Sequence, residues 1–76
     1  MTALTFYVVR VYAPPVRGKS QELWSSVRTD QNEAVKAARR KVESFNVDRK
    51  AHRKPAMTFR ATIQSKIVEF GKEVDL

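Results

Sequence analysis

The stretch Val27-Arg28-Thr29-Asp30-Gln31-Asn32-Glu33-Ala34-Val35-Lys36-Ala37-Ala38 decides the fold, because in it one periodicity ends and another begins. Asp30 followed three residues later by Glu33 has the form of a capping box, with Thr29 as a rival cap one residue earlier. Downstream, Ala34, Val35, Ala38, Val42 and Phe45 recur at the spacing of one helical stripe, and Asn46 offers a stop. Upstream, Leu23, Ser25 and Val27 alternate with Trp24, Ser26 and Arg28, which predicts a strand over Gln21 to Thr29. A strand therefore enters a helix through a polar cap.

Working outward toward the N-terminus, Leu4 to Ala13 holds Phe6, Tyr7, Val8, Val9, Val11 and Tyr12, residue types that suit a pleated surface. Pro14-Pro15 closes it. Its apolar residues fall on both parities, as in a central strand covered along most of its length. Pro14 to Ser20, with proline, glycine and two cations, is a turn or loop. Toward the C-terminus, Met57, Phe59, Ala61, Ile63 and Ile67 alternate with Thr58, Arg60, Thr62, Gln64 and Lys66, giving a long strand with one wet face. Val68 and Phe70 change parity, so a bulge or break is expected near Ser65 to Val68.

The order is strand, strand, helix, strand. Short connections and a right-handed crossover place the third strand beside the first. The expected fold is α+β: a single ββαβ domain over 1–76 with a core of about 4–70 and a tail at 71–76. Its three-stranded antiparallel sheet has order 2-1-3, with one helix on one face. If Val9, Val11, Leu23 and Val27 pack on the helix, the uncovered face carries Arg10, Tyr12, Trp24, Arg28, Arg60 and Lys66, with Phe6 and Gln64. Aromatics interleaved with arginine can stack bases or anchor a protein partner. The parity of the first two strands is ambiguous, and Phe6 or Trp24 serves equally well as core.

Composition limits the function. The chain has 76 residues, and 15 Lys and Arg against 8 Asp and Glu give a net charge of +7. Such an excess suits an acidic partner: nucleic acid or an acidic surface of a nucleoprotein complex. Between Lys36 and Lys54 lie eight cations (Lys36, Arg39, Arg40, Lys41, Arg49, Lys50, Arg53, Lys54) and two acids (Glu43, Asp48), so eight minus two is +6. On the helical wheel Lys36 and Arg40 point away from the apolar stripe, with Arg39 and Lys41 on its flanks. Ordinary surface pairs, Glu33 to Lys36 and Arg39 or Arg40 to Glu43, account for the helix. They do not account for the following run Arg49-Lys50-Ala51-His52-Arg53-Lys54, whose charges self-repel until an anion neutralises them. We read these cations, with His52 as a further donor, as the candidate anion-binding residues.

Other chemistries find little support. No cysteine allows a disulfide or thiolate zinc site, two glycines allow no phosphate-cradling loop, and one histidine allows no multi-histidine metal site. Serines without a neighbouring base form no nucleophile pattern, so neither catalytic residues, cofactor nor small-molecule substrate is expected. No stretch reads as a signal peptide or membrane span, which leads us to expect no membrane partner and a cytoplasmic location. The oligomeric expectation is a monomer, or a homodimer through the open sheet face.

Two resemblances add to this reading. The run Val27 to Ala38 and the order of elements resemble small phage-encoded host-takeover domains, among them gene-2-type inhibitors of host RNA polymerase and some anti-CRISPR proteins. That resemblance implies a non-enzymatic inhibitor in the host cell cytoplasm. Thr5-Phe6-Tyr7-Val8-Val9-Arg10 and Arg49-Lys50-Ala51-His52-Arg53-Lys54 are similar to the opening strand and basic loop of the archaeal ribosomal protein LX family, which implies structural RNA binding.

Overall fold

Asp30 starts the helix as its sequence context demands. Its backbone is extended (φ −114°, ψ 126°), and its carboxylate accepts a hydrogen bond from the Glu33 N–H at 3.0 Å. A computed structural model describes residues 2–76; Met1, which the domain reading includes, lies outside the described residues. The elements are β1 (Ala3–Tyr12), β2 (Glu22–Arg28), α1 (Gln31–Ala51) and β3 (Arg60–Glu69). They form one antiparallel sheet of order β2-β1-β3 with the helix on one face, an α+β fold.

Register decides which side chains meet the helix. Val9 and Val11 are essentially fully buried, and Val9 clusters with Ala34 and Ala38 of α1. Alanine at both helix positions removes side-chain bulk, so the backbone approaches the sheet closely. Partners across an antiparallel ladder share a face. Val11 pairs with Trp24, Val9 with Ser26 and Tyr7 with Arg28, so these lie on the helix side of β2. The structure therefore corrects the sequence reading of β2. Trp24 and Arg28 face the helix layer, and Trp24 packs against the core with Tyr7. Val27 pairs with Val8 on the open face, and neither Val27 nor Leu23 is buried. The alternation of β2 holds, but its phase is opposite to the expected one. Leu23 stands at a register irregularity opposite Val11 and Tyr12, which a pattern of alternation alone does not reveal.

Two boundaries and one expected irregularity also differ. The helix does not stop at Asn46 but continues five residues further, to Ala51. It ends in a Schellman motif: the Arg53 N–H donates to the Lys50 carbonyl (3.0 Å) and the Lys54 N–H to the Arg49 carbonyl (2.8 Å). Arg49, Lys50 and Ala51 thus belong to the last helical turn rather than to a loop. β3 begins at Arg60, not Met57, because residues 55–59 run along the helix. Finally, β3 carries no bulge: its ladder with β1 runs from Ala3 opposite Glu69 to Tyr12 opposite Arg60 without a shift. Val68 simply lies on the open face, opposite Leu4.

The layers are offset, which makes the molecule long. β2 reaches only as far as Tyr7, so Ala3–Phe6 and Lys66–Glu69 continue as a two-stranded ribbon. At the other end the 21-residue helix, about 31 Å long, overhangs the shared stretch Tyr7–Tyr12, which spans about 17 Å. The extents are 57 × 26 × 22 Å and the radius of gyration 16.8 Å, against about 11 Å for a compact chain of this length. Only Val9, Val11, Ala34 and Ala38 are fully buried among the described residues.

Candidate anion-binding end

Two connections leave the sheet at the same end, where Tyr12 faces both Arg60 and Glu22. One is the β1–β2 hairpin and the other joins α1 to β3. Both are basic, and local hydrogen bonding holds both in shape.

The hairpin tip is a two-residue turn. Val16 and Lys19 exchange backbone hydrogen bonds of 2.8 and 3.1 Å, and Arg17 (φ 54°) and Gly18 (φ 77°) between them are both left-handed. That is the backbone of a type I′ turn, which favours Asn-Gly or Gly-Gly. Here arginine takes the first position. Arg17 and Lys19 are not among the site residues expected from the sequence, because the polar run Lys19-Ser20-Gln21 after Gly18 gives the turn no second apolar flank.

The second connection is anchored by the overhanging half of the helix. Asn46 Nδ2 donates to the Met57 carbonyl at 3.1 Å, and the Met57 N–H donates to Asn46 Oδ1 at 2.9 Å. The side-chain amide thus pairs with the backbone as a neighbouring strand would. Arg49 Nε donates to the Pro55 carbonyl at 2.7 Å, and the rings of Phe45 and Phe59 lie 5.4 Å apart. These contacts explain why Asn46 does not end the helix: its side chain serves the returning chain instead of its own last carbonyls. The Schellman motif requires a left-handed residue after the cap, and Arg53 (φ 57°) occupies it.

The cations of the patch divide by surroundings. Lys36, Arg40 and Lys50 stand on the exposed face of α1, and Arg53 and Lys54 on the turn beyond it. Lys41 is half-buried, its Nζ 5.0 Å from the centre of the Phe45 ring. Arg39 borders a groove between α1 and β3. Arg49 holds the loop. His52 caps the helix: its Nδ1 lies 2.9 Å from the Asp48 carbonyl, which only accepts, so Nδ1 carries the hydrogen. The same nitrogen lies 3.7 Å from Asp48 Oδ1. Among the described residues none of the eight Lys and Arg cations is within ion-pair distance of a carboxylate. The pairings of Glu33 with Lys36 and of Glu43 with Arg39 or Arg40, offered by their spacing, are not closed.

The open sheet face has a different character. Arg10 donates to Gln64 Oε1 at 3.0 Å and pairs with Glu22 at 3.1 Å. The Arg60 guanidinium lies 4.5 Å from the centre of the Tyr12 ring. With Trp24 turned to the helix side, the remaining aromatics of this face are Phe6, Tyr12 and, just past β3, Phe70, and the Tyr12 face is already covered. Lys66 lies opposite Phe6 and is exposed. The geometry thus joins Arg10, Tyr12 and Arg60 in satisfied pairs and leaves no row of free rings.

No helix is long and apolar enough to cross a membrane, among the described residues. No family model, curated protein or solved structure matches the chain.

Proposed function

We propose that this chain is a non-enzymatic binding module that docks on the phosphate backbone of nucleic acid through its basic end. One observation carries the reading. Arg17 and Arg53 are the two non-glycine residues at positive φ among the described residues, and both sit in the connections at that end. A left-handed conformation costs a residue with a Cβ roughly 1–2 kcal/mol, and glycine would relieve it. Strain of this kind concentrates where a side chain is needed for binding. Two arginines held out on tight turns, flanked by Lys19, Lys50 and Lys54, present donors from preorganised backbone rather than from floppy loops.

In the fuller version of this reading the module occupies a surface that a nucleic-acid-processing complex, such as an RNA polymerase or CRISPR-type effector, offers to nucleic acid. A phage-encoded inhibitor would work in this way. The internal pairs on the open face favour the basic end over that face as the contact.

The test is fluorescence anisotropy with a labelled 20-base-pair DNA duplex and a 20-nucleotide RNA, titrated at several salt concentrations. Neutralising about five phosphates predicts a log–log salt slope near −4 to −5 on duplex DNA. Replacing Arg17, Lys50, Arg53 and Lys54 together by alanine should reduce that slope to near −1. A flat slope in the unmodified protein, or affinity unchanged in the fourfold variant, refutes the proposal.

A further inference from the structure

The outer edge of β3 is free among the described residues. The Phe70 N–H donates to the Thr2 carbonyl at 2.9 Å, and backbone groups alternate in direction along a strand. Even-numbered residues of β3 therefore turn their N–H and C=O toward β1. Ala61, Ile63, Ser65, Ile67 and Glu69 turn theirs outward. The ladder is ten residues long, unshifted and without proline, so neither shortness, a bulge nor proline blunts this edge. Above this edge, on the helix side, lies a groove of about 180 Å³ bordered by Val9, Val35, Ala38, Arg39, Ala61 and Ile63. Ile63 and Ile67 point to the same side and are 43% and 67% exposed.

We propose that a second copy of this chain pairs antiparallel with β3, centred on Ser65, to form a six-stranded sheet with both helices on one face. Only this register uses all five outward-facing residues, because Ser65 is their midpoint. Ile63 then faces Ile67 of the second copy, which covers the apolar groove, and Ala61 faces its Glu69. Since Arg39 borders the groove beside Ala61, the second copy's Glu69 arrives next to an unpaired guanidinium. On the open face Gln64 meets Lys66 and Arg60 meets Phe70, so no like charges oppose each other. Centring on Ile63 instead would set Arg60 against Lys66, and centring on Ile67 would leave Ile63 without a partner.

The choice of a second copy over a foreign strand rests on this self-complementarity and on the thinness of the core. Small domains usually gain stability from disulfides, a metal or association. With no cysteine and one histidine, association is the route open to this chain. Antiparallel pairing also places the two basic ends at opposite extremes of the dimer, beyond the screening length of about 8 Å at physiological salt. Dimerisation of this kind is independent of what those ends bind.

Light scattering coupled to size exclusion, loaded at 10 to 200 µM, should give twice the chain's 8.7 kDa, or 17.4 kDa. Ser65→Cys introduces the only thiol, at a hydrogen-bonded pair whose Cα atoms sit about 5.5 Å apart, within disulfide reach. Mild oxidation should convert most of that variant to a covalent dimer. Ser65→Pro removes an outward N–H and no bond to β1, so it should yield a monomer whose circular dichroism matches that of the unmodified protein. Arg39→Glu and Glu69→Arg should each weaken association at least tenfold, and their combination should restore it. A mass of 8.7 kDa throughout the range, absence of the cross-link, or a dimer persisting in Ser65→Pro would overturn the proposal.

Discussion

Replacing Arg53 by glycine should move stability and binding in opposite directions. Arg53 follows the helix cap at φ 57°, with its N–H on the Lys50 carbonyl and the next N–H, of Lys54, on the Arg49 carbonyl. Glycine keeps both backbone bonds and removes the Cβ clash, worth roughly 1–2 kcal/mol. Against this, the unfolded chain gains freedom worth about 0.5–1 kcal/mol. The net gain is about 0.5–1 kcal/mol, or roughly 3–6 °C in Tm for a domain of this size. Calorimetry or a thermal circular dichroism scan reads that shift. The same substitution deletes one cation, so the salt slope for duplex binding should become shallower by about 0.9 and affinity should fall several-fold. Arg53→Asn, which tolerates the left-handed region, should recover part of the stability and none of the affinity. A lowered Tm would show that the Arg53 side chain stabilises the fold. An unchanged salt slope would show that the strained arginine contacts no phosphate. Either result refutes the link between backbone strain and anion binding.

The remaining expectations concern the supports of the basic end and the core. Asn46→Ala removes both bonds to the Met57 backbone, at about 0.5–1.5 kcal/mol each, so the urea midpoint should drop by an amount equivalent to about 1–3 kcal/mol. Hydrogen exchange at the Met57 amide should accelerate in that variant, and unchanged protection would contradict the anchoring role. Asp30→Ala should cost about 1 kcal/mol in the same assay, through loss of the bond to the Glu33 N–H. Arg17→Asn should raise Tm by a few degrees, because asparagine suits the first position of a type I′ turn. Trp24→Ala should destabilise by about 2 kcal/mol, since the indole packs half-buried on the core, and should leave the salt slope of DNA binding unchanged. A fully stable Trp24→Ala protein would place the side chain back on the open face.

Much of the fold was legible because local rules carried it. The capping pair Asp30 and Glu33, the alanine-rich stripe, the two-sided apolar run of β1 and the alternation of β3 all act within a few residues, and each marks its element. The candidate site was legible only as a cluster of charge. Which cations are free depends on side-chain contacts that a count of charges does not specify. Arg49 is drawn to Pro55, Lys41 to Phe45, and Arg39 to the groove beside β3. Arg17 and Lys19, some thirty residues before Arg49, join its end of the cluster only because two chain reversals share one end of the sheet.

The sequence by itself determined the element order, the helix start and the concentration of +6 between Lys36 and Lys54, since these depend on composition and local periodicity. The tertiary structure alone decided the phase of β2, the true end of the helix and the offset of the layers. A period-2 pattern names two faces without saying which one the helix covers, and the cross-strand register with Val9 and Val11 makes that choice. Similarly, Asn46 is a generic helix stop until Met57 comes within reach of its amide, when two hydrogen bonds outweigh the local preference.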